Sequence, residues 1–311
     1  MDSGGDGTGP DPFSGRRGVE NMKNRGAQVR AATAVLWTAL AWVPVARAQG
    51  SFDLRPGFNL FSLTQDVQVG RENAAQVEKQ LPLLKDAEAD RYVNDLGRRL
   101  AAFAPNGRPD YVWQYKVVNS PDINAFALPG GFIYVNRATI ESASNEAQLA
   151  GVLAHESGHV VMRHGTHQAS QMMLAQAPLA ILGGMLGQNG GLMSQLAQYG
   201  IGFGAQSLLL RNSRSMESQA DDVGAYVLYQ AGYDPHALAQ FFEIIQQKYP
   251  TETLQFFSDH PNPGNRIMAV DAEIPELGPP KAWRLDSAEF QAVKRRLLAM
   301  PPAPKPKPPS P

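Results

Sequence analysis

The stretch NEAQLAGVLAHESGHVVMRHG, residues 145–165, decides how this chain is read. Asn145 followed three positions later by Gln148 resembles a capping box, and Leu149, Leu153, Glu156 and Val160 recur at helical spacing up to Gly165. A single helix is therefore expected. Inside it, His155-Glu156-Ser157-Gly158-His159 matches the H-E-x-x-H zinc pattern, which requires a helix to work. Imidazoles four residues apart lie on one helical face, so both can reach a single ion. Glu156 is rotated about 100° from His155 around the axis and should flank the ion, placed to take a proton from water beside it.

The remaining donors are constrained by composition. The 311 residues include no cysteine, which excludes thiolate zinc fingers, iron–sulfur clusters, disulfide frameworks and cysteine nucleophiles. A metal must be held by His and carboxylate. A catalytic zinc site needs a third protein ligand and an open fourth position. Arg214 to Asp222 offers one: Glu217 and Asp221 are four apart and share a helical face, with Ala220, Val223, Ala225, Tyr226 and Leu228 marking that helix as buried. Glu217 is expected at the metal and Asp221 behind it, accepting the second N–H of a ligating imidazole. With 43% hydrophobic residues, 18% charged and a net charge of −1, the chain is an ordinary globular one with no electrostatic pull toward nucleic acid.

Around this centre the pattern mixes helices with a small amount of sheet. A helix is expected from Val67 to Leu100, with Asp90 as a cap and Tyr92, Val93, Leu96 and Leu100 on one face. Alternation over Tyr111 to Val118 predicts a strand half buried against helices, and a second follows at Phe132 to Asn136. The double glycine at Pro129-Gly130-Gly131 permits a tight turn or close backbone approach. Further helices are expected over Met216 to Ala231, His236 to Gln247, and after Asp286, where Phe290, Val293 and Leu297 share a face. His164 and His167, at the end of the H-E-x-x-H helix, are read as cations complementing its dipole.

The ends read as processing sequence and tail. Residues 1–21 lack apolar periodicity and should not fold. From Met22, a basic run (Lys23, Arg25, Arg30), an apolar run (Ala31 to Val45) and Ala46-Arg47-Ala48 fit a secretory signal peptide cleaved near Ala48, with a retained membrane anchor as the competing reading. Export to the periplasm or medium is the corresponding expectation. Residues 49–285 form the expected main domain, 286–300 a C-terminal helix and 301–311 a Pro/Lys tail. No repeat of 20 to 50 residues is visible. The apolar, Gly-broken stretch Met172 to Leu210 is read as two helices capping the core, or as a lid or peripheral membrane contact.

Taken together, the H-E-x-x-H helix, Glu217 with Asp221, the Asn124 to Gly131 run before Phe132-Ile133-Tyr134, and the His260-Pro261 to Arg266 loop resemble the zinc metallopeptidase family of HtpX, BepA and the CAAX prenyl endopeptidases. The similarity runs from about Val67 to Ile274. It implies an α+β, mainly helical, gluzincin-like peptidase domain with a small sheet beside the active-site helix. One Zn2+ per chain would be bound by His155, His159 and Glu217, with Glu156 as general base. It also implies that His260 lies by the active site, approaching the zinc or hydrogen-bonding the oxyanion, with Arg266 holding the loop.

The corresponding activity is endopeptidase cleavage of misfolded or unassembled cell-envelope polypeptides. The peptide is expected to add as a strand along Phe132, Ile133, Tyr134 and Val135. The rival from another class is a periplasmic chaperone or assembly factor with latent or no protease activity, whose zinc is structural and whose fourth position is closed by His260.

Overall fold

The structure is a computed structural model and describes residues 55–105, 108, 110–176, 212–248, 259–260 and 266–304. The expected signal peptide, the tail beyond residue 304 and residues 177–210 of the apolar stretch lie outside these. The helical pattern over residues 67–100 divides in two, α1 (Leu63–Gln80) and α2 (Ala87–Ala101). Pro82 explains the break, because a proline disfavours helical backbone at the preceding residue, and Leu81 is extended. Each helix then has its own start. Ser62 and Gln65 form a reciprocal capping box at α1, and Asp86 accepts from the Ala89 N–H at α2. Asp90, expected as the cap, lies inside the first turn and accepts from the Val117 N–H at 3.3 Å.

Three strands follow: β1 (Gln114–Val118), β2 (Ala125–Leu128) and β3 (Phe132–Asn136), ordered β1-β3-β2, with β3 parallel to β1 and antiparallel to β2. The alternation over residues 111–118 becomes a strand only at Gln114, because Trp113 has φ of 44°, a left-handed conformation that takes the chain out of the ladder. β2 is an addition to the sequence reading. Its four residues include two alanines, which carry little β signal. β2 turns into β3 through Pro129–Gly131, where Gly130 and Gly131 have φ of 75° and 99°. A Cβ on Gly130 would stand 2.6 Å from Val67 Cα, so this turn is also where α1 lies closest to the sheet.

The period of two in β3 divides the interior. Ile133 and Val135 join Tyr115, Val117 and the α2 residues Val93, Leu96 and Leu100 in the main core. Phe132 and Tyr134 point the other way, packing with Val69, Val118 and Leu128 under α1. All five residues of β3 are buried, so this central strand is covered on both faces, while β1 alternates half-buried Gln114 and Lys116 with buried Tyr115 and Val117, as its sequence pattern predicts.

After the short α3 (Arg137–Ser142) comes α4 (Glu146–Val161), the H-E-x-x-H helix, capped as expected by Asn145. Every residue of α4 is buried, which its near absence of a polar face anticipates. It ends at Val161 instead of continuing to Gly165, since Arg163 has φ of 58° and turns the chain into α5 (His164–Gln176). Then come α6 (Arg214–Ala231), closed by left-handed Gly232 as expected, α7 (Ala237–Lys248), α8 (Arg266–Leu277) and α9 (Ala288–Leu298). Ser287 caps α9, not Asp286; Asp286 instead accepts from the Glu146 N–H. Among the described residues, no helix is long and apolar enough to cross a membrane.

Glu146 ties the far end of α4 to these later elements. Its buried carboxylate accepts from Tyr92 Oη (2.9 Å), Tyr233 Oη (2.5 Å) and Arg284 Nε (2.8 Å), and also from Ser287 Oγ. Removing it leaves the buried Tyr233 hydroxyl and the half-buried Tyr92 and Ser287 hydroxyls without this acceptor, and unmet buried polar groups cost roughly 1–3 kcal/mol each. Glu146→Ala is therefore expected to lower unfolding free energy by about 2–4 kcal/mol in urea titration, whereas a loss under about 0.5 kcal/mol would remove this anchor.

Candidate metal centre

The site begins with a contact between backbones. α6 crosses α4 so closely that a Cβ on Gly158 would stand 2.7 Å from the Ala220 carbonyl oxygen, and one on Gly224 would stand 3.3 Å from His155 N. Only small residues permit this approach. Ser213 caps α6 from outside, and Glu217 falls in its first turn, directly beside the α4 imidazoles.

The donor atoms converge. His155 Nε2 and His159 Nε2 are 3.0 Å apart; Glu217 Oε2 is 3.4 Å from the first, and Glu217 Oε1 is 3.3 Å from the second. A fourth donor joins them. His260 Nδ1 lies 3.3 Å from His155 Nε2 and 3.2 Å from Glu217 Oε1. Donors bonded at about 2.0–2.1 Å to a tetrahedral zinc ion stand about 3.3 Å from one another, so these spacings fit a metal better than a set of mutual hydrogen bonds. All four residues are buried, with ligand atoms within 4.8 Å of one another.

Behind the ligands, each ring's second nitrogen is engaged. His155 Nδ1 lies 2.9 Å from Asp221 Oδ1; a carboxylate can only accept, so this nitrogen carries the proton and Nε2 presents its lone pair. His159 Nδ1 lies 2.8 Å from His164 Nδ1, and His164 Nε2 lies 3.0 Å from Gln219 Oε1. Burial opposes charge on Glu217, yet the His260, His159 and His155 rings around it prevail and hold its carboxyl far below the ordinary range. Burial pushes His159 well below its usual value, and His164 to about 4 despite the Gln219 hydrogen bond. Neutral imidazoles and an ionised carboxylate are the forms that bind metal.

His164 is thus not the dipole-complementing cation expected from its position. It is buried at 3% exposure, turned inward by left-handed Arg163, whose guanidinium is fixed on Asp66 at 2.7 and 3.0 Å. His167, for its part, reaches the Phe58 carbonyl oxygen. No spacing in the sequence signals the His159–His164–Gln219 chain, because it joins three elements through a non-helical turn.

Glu156 is buried beside the donors, its Oε1 3.5 Å from His260 Nε2, and lines a cleft shared with Phe126, Leu128, Arg163 and His260. The segment bearing His260 is fastened by its neighbour Asp259, whose carboxylate accepts from Asn124 Nδ2 at 2.9 Å. Arg266, expected to hold that loop, begins α8, but its side chain lies outside the described residues.

One expectation fails outright. β3 is the central strand, paired with β1 on one side and β2 on the other, so Phe132, Ile133, Tyr134 and Val135 have no free backbone edge for an added peptide. Of the two outer edges, that of β1 is engaged by Leu84 N on Val117 O and by the Asn94 and Asp90 side chains on Tyr115 N and Val117 N, which leaves that of β2. The Asn124 carbonyl accepts from Asn136 N at 2.9 Å, so by alternation Ala125 and Ala127 direct their backbone groups away from β3. Ala125 O, 3.3 Å from His260 Nε2, points accordingly toward the metal centre.

Comparison with known proteins agrees with this geometry. The chain is 29% identical over 249 residues to the beta-barrel assembly-enhancing protease of Escherichia coli K12, and 32% identical over 252 residues to the protein of that name in Yersinia pestis. Both matches cover 77% of this chain and 49% of the relative, so the chain spans about half the length of these relatives. It is also 29% identical over 258 residues to the mitochondrial metalloendopeptidase OMA1 of Schizosaccharomyces pombe, covering 81% of this chain and 71% of that one. The model of peptidase family M48 matches residues 87–274, which contain α4, α6 and all four donors. With more than half of its length matched, the chain belongs to peptidase family M48.

Proposed function

We propose that this protein is a zinc-dependent endopeptidase acting on misfolded or unassembled cell-envelope polypeptides. The observation that carries this reading is the meeting of His155 Nε2, His159 Nε2 and the Glu217 carboxylate at spacings suited to one small ion, with Glu156 beside them. Those three would hold the zinc, one ion per chain. When bound, zinc acts as a Lewis acid, polarising the scissile carbonyl and lowering the pKa of a coordinated water to about 7. Glu156 takes the proton from the attacking water and delivers it to the leaving amine. Ala125 and Ala127 pair with the substrate backbone along the edge of β2, a mode that reads main chain and tolerates many side chains. Asp221 keeps His155 in its ligating tautomer throughout.

His260 adds a second element to this reading. Its Nδ1 stands where a fourth ligand belongs, and its Nε2 faces Ala125 O, one of the backbone acceptors assigned to substrate. One ring therefore closes both the metal's open position and the strand edge. On this reading the protein rests in a closed, latent state, with His260 in the first of its two expected roles, that of approaching the metal. Opening on this reading requires the His260 ring to leave the donor cluster.

The envelope assignment rests on other ground. The name of the bacterial relatives couples proteolysis to β-barrel assembly, and residues 22–48 have the order of a secretory signal, which would deliver the protein to the periplasm. The apolar stretch 172–210 is the candidate for peripheral membrane or client contact. A chaperone with structural zinc is the competing assignment, and a closed fourth position is what it requires.

Three substitutions test these roles. Glu217→Ala is expected to reduce zinc in the purified protein from one equivalent per chain to almost none by elemental analysis; full retention would mean a different third ligand. Glu156→Gln should retain zinc and fold while losing casein hydrolysis by a factor on the order of 10²–10⁴, and undiminished activity would remove the proposed base. His260→Ala should raise hydrolysis by roughly tenfold if the closed state is favoured by about 1.4 kcal/mol. Zinc-loaded His260→Ala protein that cleaves nothing while still preventing client aggregation would favour the chaperone.

A further inference from the structure

The two imidazoles of the metal centre are backed by chemically different groups. His155 has a carboxylate behind it, Asp221, while His159 has another imidazole, His164. The His159–His164 contact joins Nδ1 to Nδ1, so one of these nitrogens carries a proton and the other does not. Gln219 decides which. Its Oε1 lies 3.0 Å from His164 Nε2, and a carbonyl oxygen can only accept, so the proton of His164 sits on Nε2 and its Nδ1 is left as an acceptor. The proton in the 2.8 Å contact then belongs to His159 Nδ1, which leaves His159 Nε2 with the lone pair that faces His155 Nε2 and Glu217.

We infer that His164 is a positioning residue for metal binding: held by Gln219, it accepts the His159 Nδ1–H and locks His159 in the tautomer and orientation that present Nε2 to the ion. This inference rests on the zinc reading above. The placement is set from outside the site. Arg163 Nε and Nη2 grip the buried Asp66 carboxylate at 2.7 and 3.0 Å, and Tyr111 Oη donates to the same carboxylate at 2.5 Å. With Arg163 fixed in a left-handed turn, the first residue of α5 points back under α4. Gln219 comes from α6, two residues from Glu217, so the helix that supplies the third ligand also fixes the tautomer behind the second.

The test compares full-length variants that differ in whether an acceptor remains at this point. An Asn side chain can place its Oδ1 near the position of His Nδ1, whereas Leu fills space without accepting. Zinc affinity is read by competition with a chromophoric chelator, and the melting temperature of each metal-free protein is recorded alongside. His164→Leu is expected to weaken zinc binding about 10- to 100-fold, the usual effect of losing a partner behind a metal ligand, with His164→Asn recovering most of that loss. Gln219→Leu, at a half-buried position, should weaken binding in the same direction by a smaller factor and serves if His164→Leu fails to fold. A residue that merely fills the core would lower the metal-free melting temperature without separating Asn from Leu. Wild-type zinc affinity in His164→Leu, equal weakening in Leu and Asn, or unchanged affinity in Gln219→Leu where His164→Leu does not fold would each overturn the assignment. Failure of the wild-type protein itself to bind zinc would instead overturn the underlying zinc reading.

Discussion

The arrangement depends on how closely α4 and α6 can cross. A catalytic metal site assembled from two helices needs its third ligand within a few ångströms of an imidazole pair that protrudes only one side chain's length from its own axis. Ordinary side chains at the crossing would hold the helices too far apart. Gly158 and Ala220 meet at the crossing with backbone nearly against backbone, and Gly224 does the same beneath His155. The residue between the two motif positions is therefore as much a part of the site as the ligands, because it sets the distance at which Glu217 reaches them.

That closeness has an electrostatic consequence. Four potential ligands, the Glu156 carboxylate and three supporting groups, Asp221, His164 and Gln219, are packed where water is scarce, and a buried polar group would be costly there alone. They are tolerated because their preferences interlock. Asp221 accepts from His155, His164 accepts from His159, and Gln219 accepts from His164, leaving the imidazole Nε2 atoms and the Glu217 carboxylate oxygens to share one centre. Protonated imidazoles would be doubly penalised, by burial and by each other, so neutral ligands are the form the interior favours. A bound divalent ion would complete the set by supplying the positive charge that the carboxylates face.

Much of this was legible in the sequence, and the reason is local physics. His155, Glu156 and His159 sit on one continuous helix, so a period of 3.6 residues determines their mutual placement; Glu217 and Asp221 share a face of another for the same reason. Their meeting follows from the need for a third, cysteine-free ligand and from the resemblance to a known family, because no spacing rule spans the segment between them. What escaped detection lies at breaks in regular structure. β2 is too short and too rich in alanine to show a period, and without it Phe132 to Val135 read as a strand with a free side for substrate. His164 follows a left-handed arginine, so a helix extended through Gly165 makes it a cation at the helix end instead of a buried, neutral partner of His159. Pro82 splits what helical periodicity joined. The Asn124–Asp259 contact spans 135 positions with no pattern of any kind.

The central claim is a zinc ion held by His155, His159 and Glu217, with His260 as the fourth ligand at rest. X-ray absorption at the zinc K-edge of the purified full-length protein measures this directly. The expected result is one zinc per chain with four nitrogen or oxygen donors at about 2.0–2.1 Å. Three of the donors should show the outer-shell scattering of imidazole, and His260→Ala should reduce these to two. A shell with fewer than two imidazoles, or one that six or more oxygen donors fill, would contradict it.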